Sequence, residues 1–190
     1  MLLKKDDGKI ILFNEPVFKV AELIFNYPNR TFHLREISKE TGLSTTAVMQ
    51  SVEKLADFQI ITVEKTKLTT DIRANLEAEE YVFYKRIFNL YRMCRHGFVN
   101  NIKNNFNAET IVLFGSFSRG EDIEESDVDI LVITKNNTPG KSNKTLYDLM
   151  EKELNRKIKI HALKSLEKSS EEFKNAVSNG IVLYGYLKVV

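Results

Sequence analysis

Two aspartates separated by one residue, Asp127 and Asp129, stand at the start of an apolar run that continues to Ile133. On a strand that spacing puts both carboxylates on one face, with Cα atoms roughly 6 to 7 Å apart. Two like charges so close are costly unless a cation sits between them. Carboxylate oxygens without Cys or His suit a hard divalent ion, Mg²⁺ (or Mn²⁺), which keeps some waters and commonly shares its site with phosphate. A phosphate-binding half lies just upstream. Gly115 lets the backbone approach a ligand closely, Ser116 offers a hydroxyl, and the residues after it can open a short helix whose N–H groups attract anions. Arg119 adds a planar fork of donors matched to phosphate oxygens.

Gly115-Ser116, ten residues, then Asp127-Val128-Asp129, with Arg119-Gly120 inside and Ser126 before the first Asp, resembles the GSxxRG…SDxD signature of the minimal nucleotidyltransferases. These belong to the polymerase-β-like nucleotidyltransferase superfamily. The resemblance implies a small α/β domain. In it Gly115, Ser116 and Arg119 contact the triphosphate of an NTP, and Asp127 and Asp129 are the metal ligands and catalytic carboxylates. The spacing also resembles antitoxin-type members of that family, which modify a partner protein, so a protein acceptor is among the expected partners.

In the family a third carboxylate on a later strand shares a metal with the pair and helps deprotonate the attacking hydroxyl. Alternation along Lys157-Ile158-Lys159-Ile160-His161 puts that position at Lys159, and a charged lysine cannot ligate metal. Three alternatives stay open: a register shifted by one residue, His161 as the base, or an acid swung in from Glu121, Asp122, Glu124 or Glu125. That acidic group reads otherwise as a solvated turn. Two functions follow. One is transfer of NMP from an NTP to a hydroxyl of a protein or small molecule; the other is a nucleotide-sensing transcriptional regulator with weak or no turnover.

The elements that must position this chemistry are legible as patterns. The run Ile111-Val112-Leu113-Phe114 is β-branched and aromatic enough for a buried strand ending at the Gly-Ser turn, and residues 128–133 read as a second strand. Residues 135–140 are a loop by composition, and Gly140-Lys141-Ser142 only imitates a P-loop ending. Leu146, Leu149, Met150 and Leu154 mark a helix capped by Ser142 or Asn143. Residues 166–179 fit a last helix closed by Gly180, followed by an apolar strand or tail at 181–184.

The amino-terminal part has its own rhythm. Phe18, Ala21, Leu23, Ile24 and Phe25 mark a helix stopped before Pro28. Leu34 and Ile37 mark a second, closed by Gly42, and Ser44 caps a third whose stripe is Val48, Val52 and Leu55. Ile60-Ile61-Thr62-Val63, Lys65-Thr66-Lys67 and a return through Leu68 to Asn75 read as a hairpin with a basic tip. The stretch FHLREISKETGLSTTAVMQSVEKL with that hairpin resembles the winged helix-turn-helix domains of transcription regulators. The resemblance implies a third helix in the major groove of double-stranded DNA, with Thr45, Thr46, Met49, Gln50 and Glu53 on its exposed face; Lys54, the wing's Lys65 and Lys67, and Arg35 can form a local basic stripe. Residues 1–76 carry 11 Lys plus Arg against 10 Asp plus Glu, a charge of only +1, so DNA reading and dimerisation or partner contact both stay open.

Between these parts, residues 77–106 lack proline. Phe83, Ile87, Leu90, Cys94, Phe98 and Ile102 recur at three and four residues, predicting an amphipathic helix of about 40 to 45 Å that Gly97 can kink or interrupt. Tyr81, Tyr84, Phe88 and Tyr91 form a second stripe suited to the same core, to the amino-terminal domain or to a second subunit in a homodimer. The expected fold class is α/β (α+β): a winged helix-turn-helix domain at 1–76, a connecting helix at 77–106 and a small mixed-sheet nucleotidyltransferase domain at 107–190. A chain of 190 residues with 43% apolar content and a net charge of +2 can pack both. No apolar run approaches the roughly 20 residues of a membrane span, and Met1-Leu2-Leu3-Lys4-Lys5-Asp6-Asp7 has no apolar h-region, so a cytoplasmic location is expected. One cysteine, Cys94, excludes an internal disulfide and reads as a small core residue. Three scattered histidines make a zinc cluster unexpected.

Overall fold

A computed structural model describes residues 14–67, 69–95, 97–135 and 144–188, with the side chains of 144–146 excepted. The expectations for Met1 to Asp7, Leu68, the loop at 136–140, the Gly140-Lys141-Ser142 imitation, the cap at Ser142 or Asn143 and the Leu146 side chain lie outside the described residues. The chain forms two compact units, Met1–Tyr81 and Val82–Val190.

In the first unit, Asn14 caps α1 (Glu15–Asn26), and the helix stops immediately before Tyr27-Pro28. Its buried face is Val17, Val20, Ala21, Ile24 and Phe25, a spacing that turns one side of the helix into the unit's core. A two-residue strand, β1 (Phe32–His33), precedes α2 (Leu34–Thr41). Gly42 then adopts the left-handed conformation (φ +70°) and Ser44 accepts from the Ala47 amide at 3.2 Å, so α3 (Thr45–Asp57) starts at once on a new axis. Val48, Ser51, Val52 and Leu55 are its buried side. The chain returns as β2 (Ile61–Lys65) and β3 (Thr70–Ala74), an antiparallel hairpin that β1 extends to a three-stranded sheet in the order β1-β3-β2. Arg30 locks the entry to α2 by donating to Glu40 at 2.6 Å and to Glu36, with its guanidinium 4.7 Å from the Phe32 ring.

The second unit begins on α4 (Glu79–Arg95), which is separated from α5 (Phe98–Phe106). The expected helix is therefore interrupted rather than kinked, giving two. Gly97, at φ +65°, stands as the cap before α5, a conformation that stops the first helix and starts the second. Its neighbour His96 is outside the described residues. The buried face of α4 also departs from the apolar count: Lys85, Phe88, Asn89, Arg92 and Met93 are inside, whereas Phe83, Ile87, Tyr91 and Cys94 are exposed. Cys94 is thus a surface thiol rather than a core residue.

The sheet runs in the order β6-β5-β4-β7, from β4 (Thr110–Phe114), β5 (Val128–Ile133), β6 (Ile158–Leu163) and β7 (Ile181–Tyr184). Strand β5 is antiparallel to β4 and parallel to β6, so the sheet is mixed. All five residues of β4 are buried because both faces are covered. Ile111, Leu113, Val128, Ile130 and Val132 pack on one side with Met93, Phe98, Ile102 and Phe106. Val112, Phe114 and Leu131 pack on the other with Leu166 and Val177. From α7 (Lys144–Leu154), Met150 and Leu154 enter the first cluster with Tyr147 against it, while Leu149 is 47% exposed and does not share the face expected of it. The last helix, α8 (Glu171–Ser178), starts later than the leucine pattern predicts, because Ser170 takes the cap, accepting from the Phe173 amide at 3.3 Å.

Candidate active site

Strand pairing brings the sequence candidates together at one end of the sheet. Phe114 pairs with Asp129 across β4 and β5, which sets the following turn beside the second aspartate. Gly115 has φ +76°, and a Cβ there would lie 2.7 Å from Asp129 Oδ2. Gly115→Ala is therefore expected to cost about 1–2 kcal/mol through φ strain and to displace the Asp129 carboxylate. Thermal unfolding and nucleotide binding, measured on the same sample, check both effects. Helix α6 (Gly115–Arg119) follows, with Ser118 donating to the Gly115 carbonyl at 2.8 Å and Ser116 half-buried in its first turn. Arg119, at the far end, donates through Nε to Glu121 at 2.7 Å. No described contact joins it to the aspartates.

The register of β6 settles one open alternative: Lys159 pairs with Asp129 and His161 with Leu131. Both side chains point to the aspartates. Lys159 Nζ lies 2.5 Å from Asp127 Oδ2, and His161 Nε2 lies 3.5 Å from Asp129 Oδ1. Hydrogen bonding to Asp127 and its charge, with a further contribution from Asp129, hold the Lys159 ammonium above its ordinary range. His161 is walled by two phenylalanines, with centroids 5.4 Å from Phe114 and 5.3 Å from Phe173 of α8. Among the described residues no group of three His, Cys, Asp or Glu side chains is placed to hold a metal ion.

The acidic turn after α6 is not wholly solvated, as its composition implies. Asp122 is 2% exposed and sits between two buried cations. Arg156, just before β6, donates to its Oδ2 through Nε at 3.2 Å and Nη2 at 3.0 Å. From α4, Lys85 Nζ lies 3.4 Å from Oδ1 and donates to the Asp122 carbonyl, while Asn89 donates to Oδ1 at 2.7 Å and to the Phe117 carbonyl at 2.9 Å. Burial pushes the Lys85 ammonium down to about 8, against the opposing attraction of Asp122. Gly120, at φ +77°, lies so close to the α4 backbone at Val82 and Arg86 that a Cβ would not fit. The loop joining the Gly-Ser turn to the Asp pair is thus pinned to α4 and to the start of β6, and Asp122 cannot supply a third carboxylate without breaking that network. The sequence signal for it was Lys85 and Asn89, one helical turn apart on the face of Phe88.

The sequence profile of the family described as "Polymerase beta, Nucleotidyltransferase" matches residues 98–187. A Methanocaldococcus jannaschii protein named "Putative protein adenylyltransferase MJ1379" is 40% identical over 78 residues, which cover 37% of this chain and 78% of that one. The chain belongs to the polymerase beta nucleotidyltransferase family. A solved structure of a mutant Lactococcus lactis ZitR matches 56% of this chain and 68% of that one at 13% identity and a TM-score of 0.37, too remote a likeness to bear on function. Among the described residues no helix is long and apolar enough to cross a membrane.

Proposed function

We propose that the chain is a Mg²⁺-dependent nucleotidyltransferase that moves NMP from an NTP to a hydroxyl of a protein or small-molecule acceptor. The observation that carries this reading is the Asp129 carboxylate set against a turn where only glycine fits, with Asp127 two residues before it, within a chain of this family. Two carboxylates, with no thiolate among them, fit a hard cation whose remaining ligands are phosphate oxygens and water. Asp127 and Asp129 would hold it. Once bound, it would neutralise phosphate charge and favour in-line displacement. Gly115 and Ser116 would receive the triphosphate at the turn, and Arg119 would exchange Glu121 for a phosphate oxygen. The acceptor oxygen bonds to the α-phosphorus as pyrophosphate leaves, and His161, beside Asp129, takes the hydroxyl proton. The name of the Methanocaldococcus jannaschii relative favours a protein as acceptor and ATP as donor. Incubation with α-labelled NTPs, Mg²⁺ and candidate acceptors tests the proposal; loss of transfer in an Asp127→Asn/Asp129→Asn variant is the required control.

A second reading, a nucleotide-sensing regulator with little turnover, is favoured by one contact: a lysine, not an acid, faces Asp127 from β6. It would show as metal-dependent nucleotide binding without label transfer to any acceptor.

For the first unit we propose a winged helix-turn-helix domain that binds double-stranded DNA. Three helices, an abrupt turn between the last two and a hairpin support it. Thr45, Thr46, Gln50 and Lys54 are exposed on one side of α3, and Lys65 and Lys67 at the hairpin tip. The Lys65→Glu/Lys67→Glu variant is expected to weaken a gel shift about tenfold at low salt and to flatten its salt dependence. Absence of any shift by the parent protein at low salt removes DNA as the partner. The remaining role for this unit is partner contact or dimerisation; in the second unit the exposed Phe83, Ile87 and Tyr91 of α4 offer a separate apolar face for a homodimer.

A further inference from the structure

The two carboxylates are each faced from β6 by a nitrogen. Register puts both on the aspartates' side of the sheet: parallel pairing of Asp129 with Lys159 and of Leu131 with His161 fixes where both side chains leave the strand. Lys159 Nζ then reaches Asp127 Oδ2 at 2.5 Å, and His161 Nε2 approaches Asp129 Oδ1 at 3.5 Å. A carboxylate oxygen that accepts from an ammonium is not free to ligate a metal, and the ammonium repels a second cation nearby.

We propose that Lys159 is the resident cation of Asp127, so that the pair accepts a single divalent ion and accepts it well only together with the phosphates of a nucleotide. The inference rests on the nucleotide-binding reading of this site. Mg²⁺ asks for six near-octahedral oxygen ligands, of which two monodentate carboxylates supply a minority. Among the described residues no third acidic side chain joins them. Phosphate oxygens make up the set and also give the displaced ammonium a new anion. Its side chain is 59% exposed and so has the freedom to turn from Asp127 to a phosphate on the same side of the sheet. Lys159 thereby selects the metal–nucleotide complex over the free metal. Its positive charge on that side of the sheet also disfavours a second divalent ion beside the pair.

Mn²⁺ binding to the full chain, followed by the electron paramagnetic resonance of the free ion, reads this directly. With Mn²⁺ alone, Lys159→Met, which keeps the stem and removes the charge, is expected to bind at least tenfold more tightly than the parent, and the gain should vanish in Lys159→Met/Asp127→Asn. With a non-hydrolysable NTP analogue present, the parent should take up one Mn²⁺ per bound nucleotide and Lys159→Asp two. Equal Mn²⁺-alone affinity in the parent and Lys159→Met, including no binding by either, overturns the proposal, as does a parent that binds two ions per nucleotide. Lys159→Gln repeats the comparison if Lys159→Met fails to fold by thermal melt. If no variant binds nucleotide, the nucleotide reading falls, while the comparison with Mn²⁺ alone still decides the role of Lys159.

Discussion

Asn at both Asp127 and Asp129 is expected to lower transfer of label from an α-labelled NTP by about a hundredfold or more, with the fold intact. The expected size follows from what the pair would do. An interaction made with charge that develops during phosphoryl transfer is worth about 10²- to 10³-fold when a single group is removed. Two metal ligands lost together leave no carboxylate to hold the cation. Stability should change little. Asp127 pairs with a lysine that is 59% exposed, and exposed pairs contribute about 0–1 kcal/mol, while removing two adjacent negative charges relieves repulsion. Chelation of the metal should reproduce the variant's loss in the parent protein, and excess Mg²⁺ should restore the parent but not the variant. A variant that transfers label at the parental rate would remove the Asp pair from the chemistry. If instead the parent moves no label yet binds nucleotide only with Mg²⁺, and the variant loses that binding, the site belongs to a sensor.

How far the chain's pattern reveals this site depends on which physical term dominates at each element. Strands β4 and β5 are covered on both faces, so burial writes them as unbroken apolar runs, and the glycine that ends one run and the aspartates that begin the other stand out against them. Gly42 and Ser44 mark the turn into α3 because left-handed backbone and an amide-capping hydroxyl each demand particular residues. Alternation on the half-exposed strand β6 sufficed to put Lys159 across from the pair. Counting apolar residues failed on α4, where Phe83, Ile87 and Tyr91 face outward and the inner face is held by Lys85, Asn89 and Arg92. Periodicity records transfer of apolar surface and carries no term for ions that pair across distant segments. Asp122 was hidden by its neighbours: Glu121 is exposed and Asp122 buried, and composition alone cannot tell two adjacent acids apart. Strand β1 has two residues, too short for any period to register.

That hidden aspartate is the position where a substitution should do most damage to the fold. Asp122→Asn is expected to destabilise the second unit by about 3–5 kcal/mol, because it removes the negative charge buried between Lys85 and Arg156. Asparagine keeps the shape and one acceptor, so the loss reports on charge rather than on a cavity. For a unit of this size that corresponds to a fall in unfolding temperature of about 15 °C or more. The variant should also acquire a pH signature. Lys85 already has a depressed pKa of about 8 in the folded chain, and loss of Asp122 removes the main attraction opposing that depression. Between the folded pKa and the unfolded value of about 10.4 the unfolded chain binds more protons, so stability rises with pH across that window. In Asp122→Asn the window opens lower, and stability should begin to recover at pH values where the parent is still flat. Lys85→Met in the same background should restore part of the loss, since it removes one of the two buried cations that face Asp122. If unfolding free energies of Asp122→Asn and the parent from denaturant titration agree within about 1 kcal/mol, the triad is not what pins the loop between the Gly-Ser turn and the Asp pair.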